Sequence, residues 1–451
     1  MLRSVMVFKF IKYTTPAWQF NILPIAKKFP SCVDIELAKK SGLLDEIYQT
    51  ESAQIADAGY QLWNKGILIE SGNEETRKLL DLPSPTLHDE YVFIRKYWGT
   101  LWASYALLSR LISLKNPVKE IYTYLQTSKV KRINAFKSPH KYEDYESFQS
   151  PLVDDNPFVA VIIPTLNRYD YLKDVLHDLE KQSYKNFEVV IVDQSTEFRQ
   201  HFYQQFKLNI RLIYQLDKKL WTARNKAIKV TQARYLLFFD DDSRVESDWI
   251  LEHLKCLDFF DADISAGVSL ATVGMKVPEN YSYFRWADQF DSGNALVRRD
   301  VFKKIGLFDE QFNGQRMGDG EFGYRAYRDG FKSISNHKAF RVHLKVGTGG
   351  LREMGSWDGF RPKKWFSPKP VPSVIYLYKK YLSKDLYRHA LLLGIMLSNV
   401  PYRQKRNAKM LFLSVLLTFI KSPVLVIRFL RARSIAMKML RNDKGIVLLE
   451  K

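Results

Sequence analysis

The stretch from Ala233 to Trp249, ARYLLFFDDDSRVESDW, constrains this chain more than any other. Tyr235 to Phe239 is a short, unbroken apolar run of the kind that forms a buried strand. It stops at three adjacent carboxylates, Asp240, Asp241 and Asp242. Adjacent acids at a strand end repel one another, and burying them without compensation is costly. A divalent cation supplies compensation, and hard oxygen ligands suit Mg2+ or Mn2+. The competing reading is a solvated acidic turn before the next helix, with Ser247 as its N-cap. For the triplet alone that reading is the better one. Its surroundings reverse the balance.

From Pro157 onward, strand patterns alternate with helical ones. Residues 158–163 (FVAVII) read as a buried strand and 169–182 as a helix. Residues 187–192 (FEVVIV) and 210–214 (IRLIY) read as two more strands, and 222–230 as a helix before the 235–239 strand. This alternation predicts an α/β sheet with parallel strands, whose ligand site lies beyond their carboxyl ends. Polar residues fall at those ends. The first strand runs into Pro164, Thr165, Leu166, Asn167 and Arg168, the second ends at Asp193, and the last ends at the aspartate triplet. Packing alone does not explain polar residues delivered to one rim by three separate strands.

These motifs, VIIPTLNR, VVIVDQS, TARN, FFDDDS, GLFDEQF and GDGEFGYR, occur in an order that resembles the family 2 glycosyltransferases across residues 158–346. The resemblance implies a GT-A fold, a Rossmann-like mixed sheet flanked by helices. It also implies an inverting, metal-dependent enzyme of the hexosyltransferase type that uses a nucleotide sugar. On that basis Pro164, Thr165 and Arg168 line the nucleotide pocket and Asp193 accepts a hydrogen bond from the base. Arg224 and Asn225 lie near the base and diphosphate, and Asp241 near the ribose. Asp240 and Asp242 are the outer members of a metal-binding DxD motif for Mn2+ or Mg2+, with His343 as a further ligand. Asp319 takes the general-base position and Glu321 that of the second acid, with Gly318 where the family usually has Glu. The competing reading of Asp319 is an N-cap for a 322–328 helix. Gly293 and Asn294 would face the acceptor cavity. The Gly-rich stretch after His343, with Arg352, suits a mobile lid. Lys218 and Lys219 stand where many members have an Asn-x-Gly turn; surface positions suit them better than phosphate contacts.

The implied organisation is a mostly helical accessory domain over 1–150 and the glycosyltransferase domain over 157–350. A lid or connection over 351–371 and a basic amphipathic region over 372–451 complete it. Within 1–150, the aromatic and aliphatic segment 89–113 is expected to be a buried helix or helix pair. Two cysteines, Cys32 and Cys256, give no disulfide framework and suit a reducing compartment. The N-terminus lacks a small-residue cleavage site, so no signal peptide is expected.

The charge of +20 is concentrated: residues 363–451 hold 19 Lys+Arg against 3 acids. Apolar blocks alternate with basic ones there, the composition of interfacial helices that bind anionic lipid. None of the apolar runs reaches the roughly 18 residues of a spanning helix. No nucleic-acid-binding motif accompanies the charge, so nucleic acid is not the expected partner. The expected partners are a nucleotide sugar (UDP-sugar ahead of dTDP- or GDP-sugar), a glycan or lipid-linked acceptor, and an anionic membrane surface. The implied location is cytoplasmic and peripheral at the inner face of the cell membrane. The alternative function is a catalytically silent GT-A domain that serves as a binding or scaffold subunit.

Overall fold

The computed structural model describes residues 7–14, 34–68, 78–79, 81–270, 275–287, 290–344, 346, 350, 359–362, 364, 366–401, 404 and 407–449. The chain divides into two compact units, Met1–Pro139 with Met354–Asp443, and His140–Glu353 with Lys444–Lys451.

The second unit is built on a mixed sheet of nine strands. They are β1 (Val159–Thr165), β2 (Phe187–Asp193), β3 (Ile210–Tyr214), β4 (Tyr235–Phe239), β5 (Ser243–Arg244), β6 (Ile264–Leu270), β7 (Arg285–Trp286), β8 (Asn294–Arg298) and β9 (Ser333–His343). The order is β3-β2-β1-β4-β8-β6-β9-β5, with β7 paired to β9. Every residue of β1, β2 and β4 is buried. That explains why these strands read as continuous apolar runs: helices cover both faces of such a sheet. The β1, β2, β3 and β4 pairings are parallel, and β8 then runs antiparallel against β4. This is the Rossmann-like mixed sheet expected of a GT-A fold.

Register brings the polar ends together. Thr165 pairs with Asp193, so two loops leave the sheet side by side. Phe239 pairs with Asn294, which sets the turn before β8 beside Asp240. Ser243 pairs with His343, which sets the end of β9 beside Asp242. Three expected helix starts shift, the helix Leu220–Val230 beginning two residues before the expected 222. The helix Trp249–Phe259 follows Asp248, not a Ser247 cap. The helix Gly318–Asp329 begins four residues before the expected 322, after Met317 in a left-handed conformation, so Asp319 sits inside its first turn.

Asn294, expected at the acceptor cavity, is fully buried. Its Oδ1 accepts from Trp249 Nε1 (2.8 Å) and lies 3.2 Å from His253 Nε2, while its Nδ2 donates to the Val268 and Ala339 carbonyls. A buried amide in a core of apolar strands stays there only because both its ends are satisfied.

In the first unit, the 89–113 segment forms two helices, Leu87–Tyr97 and Thr100–Ile112. The turn between them uses Gly99 at φ +88°. Thr86 and Asp89 form a reciprocal capping box that starts the first helix. Phe10, Tyr13, Tyr91, Ile94, Ala103 and Ala106 form a core cluster. Asp57, fully buried, accepts from Tyr48, Tyr97, Gln61 and Lys96. Four helices follow in the C-terminal segment: Pro372–Tyr381, Lys384–Leu397, Ala408–Ile420 and Ser422–Arg441. Among the described residues, none is long and apolar enough by itself to cross a membrane. Lys409–Ile420 and Ser422–Arg441, bent by 79°, meet the length and composition only as a pair.

Burial pushes His253 down to about 4, partly opposed by its Asn294 and Ser265 contacts. In the unfolded chain it titrates near 6.5. The unfolded state therefore binds more protons between these values, and stability is lost as pH falls from about 6.5 toward 4. His253→Asn should remove a pH dependence on the order of 2–3 kcal/mol in that window. Urea unfolding of both proteins at pH 7 and pH 5 measures it, and parallel losses in the two would contradict the assignment.

Candidate active site

At the carboxyl edge of the parallel strands, five aspartates meet three arginines. Arg168, in the loop after β1, donates from Nη1 to Asp241 Oδ1 at 2.9 Å and lies 3.1 Å from Asp242 Oδ2. Thr165 Oγ1 also donates to Asp241 (2.8 Å). Arg224, in the first turns of the helix Leu220–Val230, donates to Asp240 Oδ1 (3.0 Å) and Ser292 Oγ (2.7 Å). Arg341, on β9, donates to Asp240 Oδ2 (2.8 Å), Ser243, Ser269 and both oxygens of Asp291.

All three guanidinium groups are buried, whereas Asp240, Asp291 and Asp319 remain partly open to solvent. The groups available to react therefore lie on the open side and their counter-charges behind them. Burial raises Asp240, but Arg341 and then Arg224 pull it well below the usual carboxylate range. Asp241 goes the other way: burial lifts it to about 6, against the pull of Arg168.

Asp240, Asp242 and His343 offer ligand atoms that all lie within 4.8 Å of one another. His343 Nε2 is 3.1 Å from Asp242 Oδ1. Two carboxylates and an imidazole so arranged fit a hard or borderline divalent ion such as Mn2+ or Mg2+.

Asp319 Oδ1 accepts from both the amide and the hydroxyl of Ser292. Since Arg224 donates to the same hydroxyl, Ser292 joins the base candidate to the arginine that holds Asp240. Burial raises the Asp319 carboxyl and Arg224 opposes the rise. Glu321 faces elsewhere. It is fully buried and pairs with Arg325 Nε at 2.6 Å, and Arg325 also donates to the Ile305 and Leu307 carbonyls. Glu321 thus anchors the 305–307 turn, and Asp319 is the carboxylate turned toward the cleft. The glycine at 318 has a local cause, since a Cβ there would lie 2.2 Å from the Trp221 ring.

The other expected residues divide. Pro164 and Thr165 end β1 beside the triplet. Asp193 is fully buried, and its oxygens accept from Ser195 N, Tyr169 OH and Tyr203 OH. Asn225 holds Phe308 through two backbone hydrogen bonds and also reaches Glu310. Both are occupied in fixing loops. Lys218 and Lys219 are exposed, near Thr196 and Asp217. Residues 347–349 and 351–358, which include most of the expected lid and Arg352, lie outside the described residues, as does Cys32. Gly350 is described: its φ is +75°, its amide donates to the Leu166 carbonyl, and a Cβ there would strike Arg168.

Sequence reasoning missed Arg341, Asp291 and Ser292. The only signal was their position, two residues before His343 and just before Gly293. Gly293 leaves room for this contact, since a Cβ there would come within 2.2 Å of Asp240 and 2.4 Å of Arg341.

Residues 160–325 match the model for Glycosyl transferase family 2. They are a family 2 glycosyltransferase domain. Glycosyltransferase GlyA of Streptococcus pneumoniae serotype 4 is 33% identical over 170 residues, which cover 37% of this chain and 23% of GlyA. The putative teichuronic acid biosynthesis glycosyltransferase TuaG of Bacillus subtilis is 34% identical over 104 residues, 22% of this chain and 41% of TuaG. The chain thus spans less than half the length of these relatives. Among solved structures, residues 1–349 of Staphylococcus aureus TarS in complex with UDP-GlcNAc align at a TM-score of 0.42 and 20% identity, covering 63% of this chain and 89% of that one.

Arg341→Met removes one buried cation from Asp240 and Asp291, which retain some solvent. We expect a stability loss of about 2–4 kcal/mol at pH 7, as for a broken, mostly buried pair. Added Mn2+ should then raise the melting temperature more in the variant than in the parent, because the ion takes over compensation of Asp240. Equal gains in calorimetry would remove Asp240 from the ion site.

Proposed function

We propose that this chain is an inverting, metal-dependent glycosyltransferase that moves a sugar from a nucleoside-diphosphate sugar to a glycan or lipid-linked glycan acceptor in cell-surface polysaccharide synthesis. One observation carries the reading: within a family 2 domain, Asp319 is tied through Ser292 and Arg224 to the carboxylates that could hold a divalent ion. Relatives named for teichuronic acid biosynthesis and as an Escherichia coli chondroitin synthase support the polysaccharide context.

In this reading Asp319 takes the proton of the acceptor hydroxyl as that oxygen bonds to the anomeric carbon. The bond from that carbon to the diphosphate oxygen breaks in the same step, and the nucleoside diphosphate leaves. A cation on Asp240, Asp242 and His343 would neutralise charge growing on the diphosphate. Ser292 orients the base through two donated hydrogen bonds. Two buried donors, Arg224 Nε and Gln194 Nε2, have no partner among the described residues, and unsatisfied donors at this edge suit acceptor atoms of a bound nucleotide.

A donor screen tests this, following release of UDP first, then dTDP and GDP, from their sugars with Mn2+ or Mg2+. Metal-dependent release of one nucleotide is expected, and Asp242→Asn should abolish it and weaken donor binding. Nucleotide binding without turnover, even with glycan acceptors supplied, would favour a silent scaffold; no binding at all would overturn the reading.

Asp319→Asn should lower turnover by about 10²–10⁴-fold while leaving the donor Kd unchanged. Because the Asp319 pKa is raised and only its ionised form accepts a proton, kcat/KM should fall on acidification with a midpoint above the ordinary carboxylate value. A pH–rate profile measures this, and an acid limb at or below that value would exclude Asp319 as the base.

A further inference from the structure

The helix Ala408–Ile420 is turned inside out by the standard of a soluble protein. Its inner face is polar: Ser414, 1% exposed, donates to the Met396 carbonyl, and Thr418 Oγ1 accepts from Asn399 Nδ2 at 2.8 Å. Its outer face is apolar, with Phe412 74%, Phe419 73% and Ile420 66% exposed at helical spacing. Beyond the bend, the helix Ser422–Arg441 packs Leu425, Ala432 and Ala436 inward and leaves Val426, Ile427 and Leu430 more than half exposed. Arg431, Arg433 and Lys438 are exposed on the same helix.

At the bend lies a cavity of about 130 Å3, lined by Lys369, Ser398, Asn399, Lys421, Val424, Leu425 and Arg428. None of its lining residues is acidic, and Lys369 and Arg428 are both buried. The first turn of the 20-residue helix Ser422–Arg441 forms one wall, adding the positive end of a helix dipole. At about 30 Å3 per water, the volume holds several waters, which is room for a phosphate group.

We propose that these two helices form a docking site for an anionic lipid surface, with the outward apolar face entering the interface and the cavity receiving a lipid phosphate. Charge selects this occupant: 19 Lys+Arg against 3 acids over residues 363–451 attract an anionic bilayer, and would repel a second copy of the same face. Length selects the orientation. The 13-residue helix Ala408–Ile420 rises only about 20 Å, short of the ~30 Å hydrocarbon core, and the next helix carries five cations from Arg428 to Arg441. The pair lies on the bilayer. This inference concerns the helical unit and does not depend on the glycosyltransferase reading.

The test is flotation of the purified full chain with vesicles of phosphatidylglycerol in phosphatidylcholine, and with phosphatidylcholine alone. Binding to the first and not the second is expected. F412S/F419S should weaken it by about tenfold or more, since both rings leave the interface. Lys421→Gln should weaken it by about fivefold, the weight of one cation at a lipid surface. Melting curves matching the parent would show that both variants fold. No flotation with anionic vesicles, or flotation untouched by F412S/F419S, overturns the proposal. Stabilisation by inorganic phosphate without vesicle binding would mean a soluble-anion site instead. A dimer in light scattering that F412S/F419S dissociates would make the apolar face a contact between copies, and would also overturn it.

Discussion

Asp240 sits between two buried guanidinium groups, and much of the cleft takes its shape from that arrangement. Three carboxylates in a row at a strand end repel one another by several kcal/mol per close pair, on the order of 4 kcal/mol at 4 Å and an effective dielectric of 20. The fold answers with Arg168 on Asp241 and Asp242, and with Arg224 and Arg341 on Asp240. Each arginine comes from a different element, so satisfying the charges also joins the loop after β1, the helix Leu220–Val230 and β9. Arg341 extends the network to Asp291, and Ser292 extends it to Asp319. The base candidate is thereby fixed relative to the carboxylates that could hold an ion by hydrogen bonds, not by a shared backbone segment.

The parts of this arrangement that are local in sequence could be read there. Continuous apolar runs such as VAVII and YLLFF mark strands buried on both faces, and β3 and β4 fall where the pattern puts them. The carboxyl-edge location of Pro164, Thr165, Arg168 and the triplet follows from strand direction alone. What required coordinates is register. Nothing near Arg341 in the chain reveals that Ser269 pairs with it across β6 and β9, or that Phe239 faces Asn294. A lone arginine in FRVHLK looks like a surface residue until the partner strand is known. Asp193, Asn225 and Glu321 illustrate the converse limit: a motif fixes where a polar residue stands, but not whether its hydrogen bonds turn to a ligand or inward. Asn294 shows this most plainly, since a polar residue after glycine at a strand start reads as cavity-facing and proves to be a core amide with both ends satisfied.

The glycine at 318 follows the same logic. Family 2 resemblance calls for a carboxylate there, yet the Trp221 ring fills the space against that backbone and donates through Nε1 to the Phe312 carbonyl. An added acid at 318 would have to displace the ring and would bring one more negative charge toward Asp319, whose carboxyl burial already raises. Omitting it leaves Asp319 as the acid bound by Ser292 and linked through that hydroxyl to Arg224, with Glu321 paired to Arg325 on the far side of the helix. The helix Gly318–Asp329 thus separates two carboxylates spaced two residues apart into different roles. A helical offset of two residues turns side chains by about 200°, so they point to nearly opposite faces. One face meets the core and fixes the 305–307 turn; the other meets the open cleft.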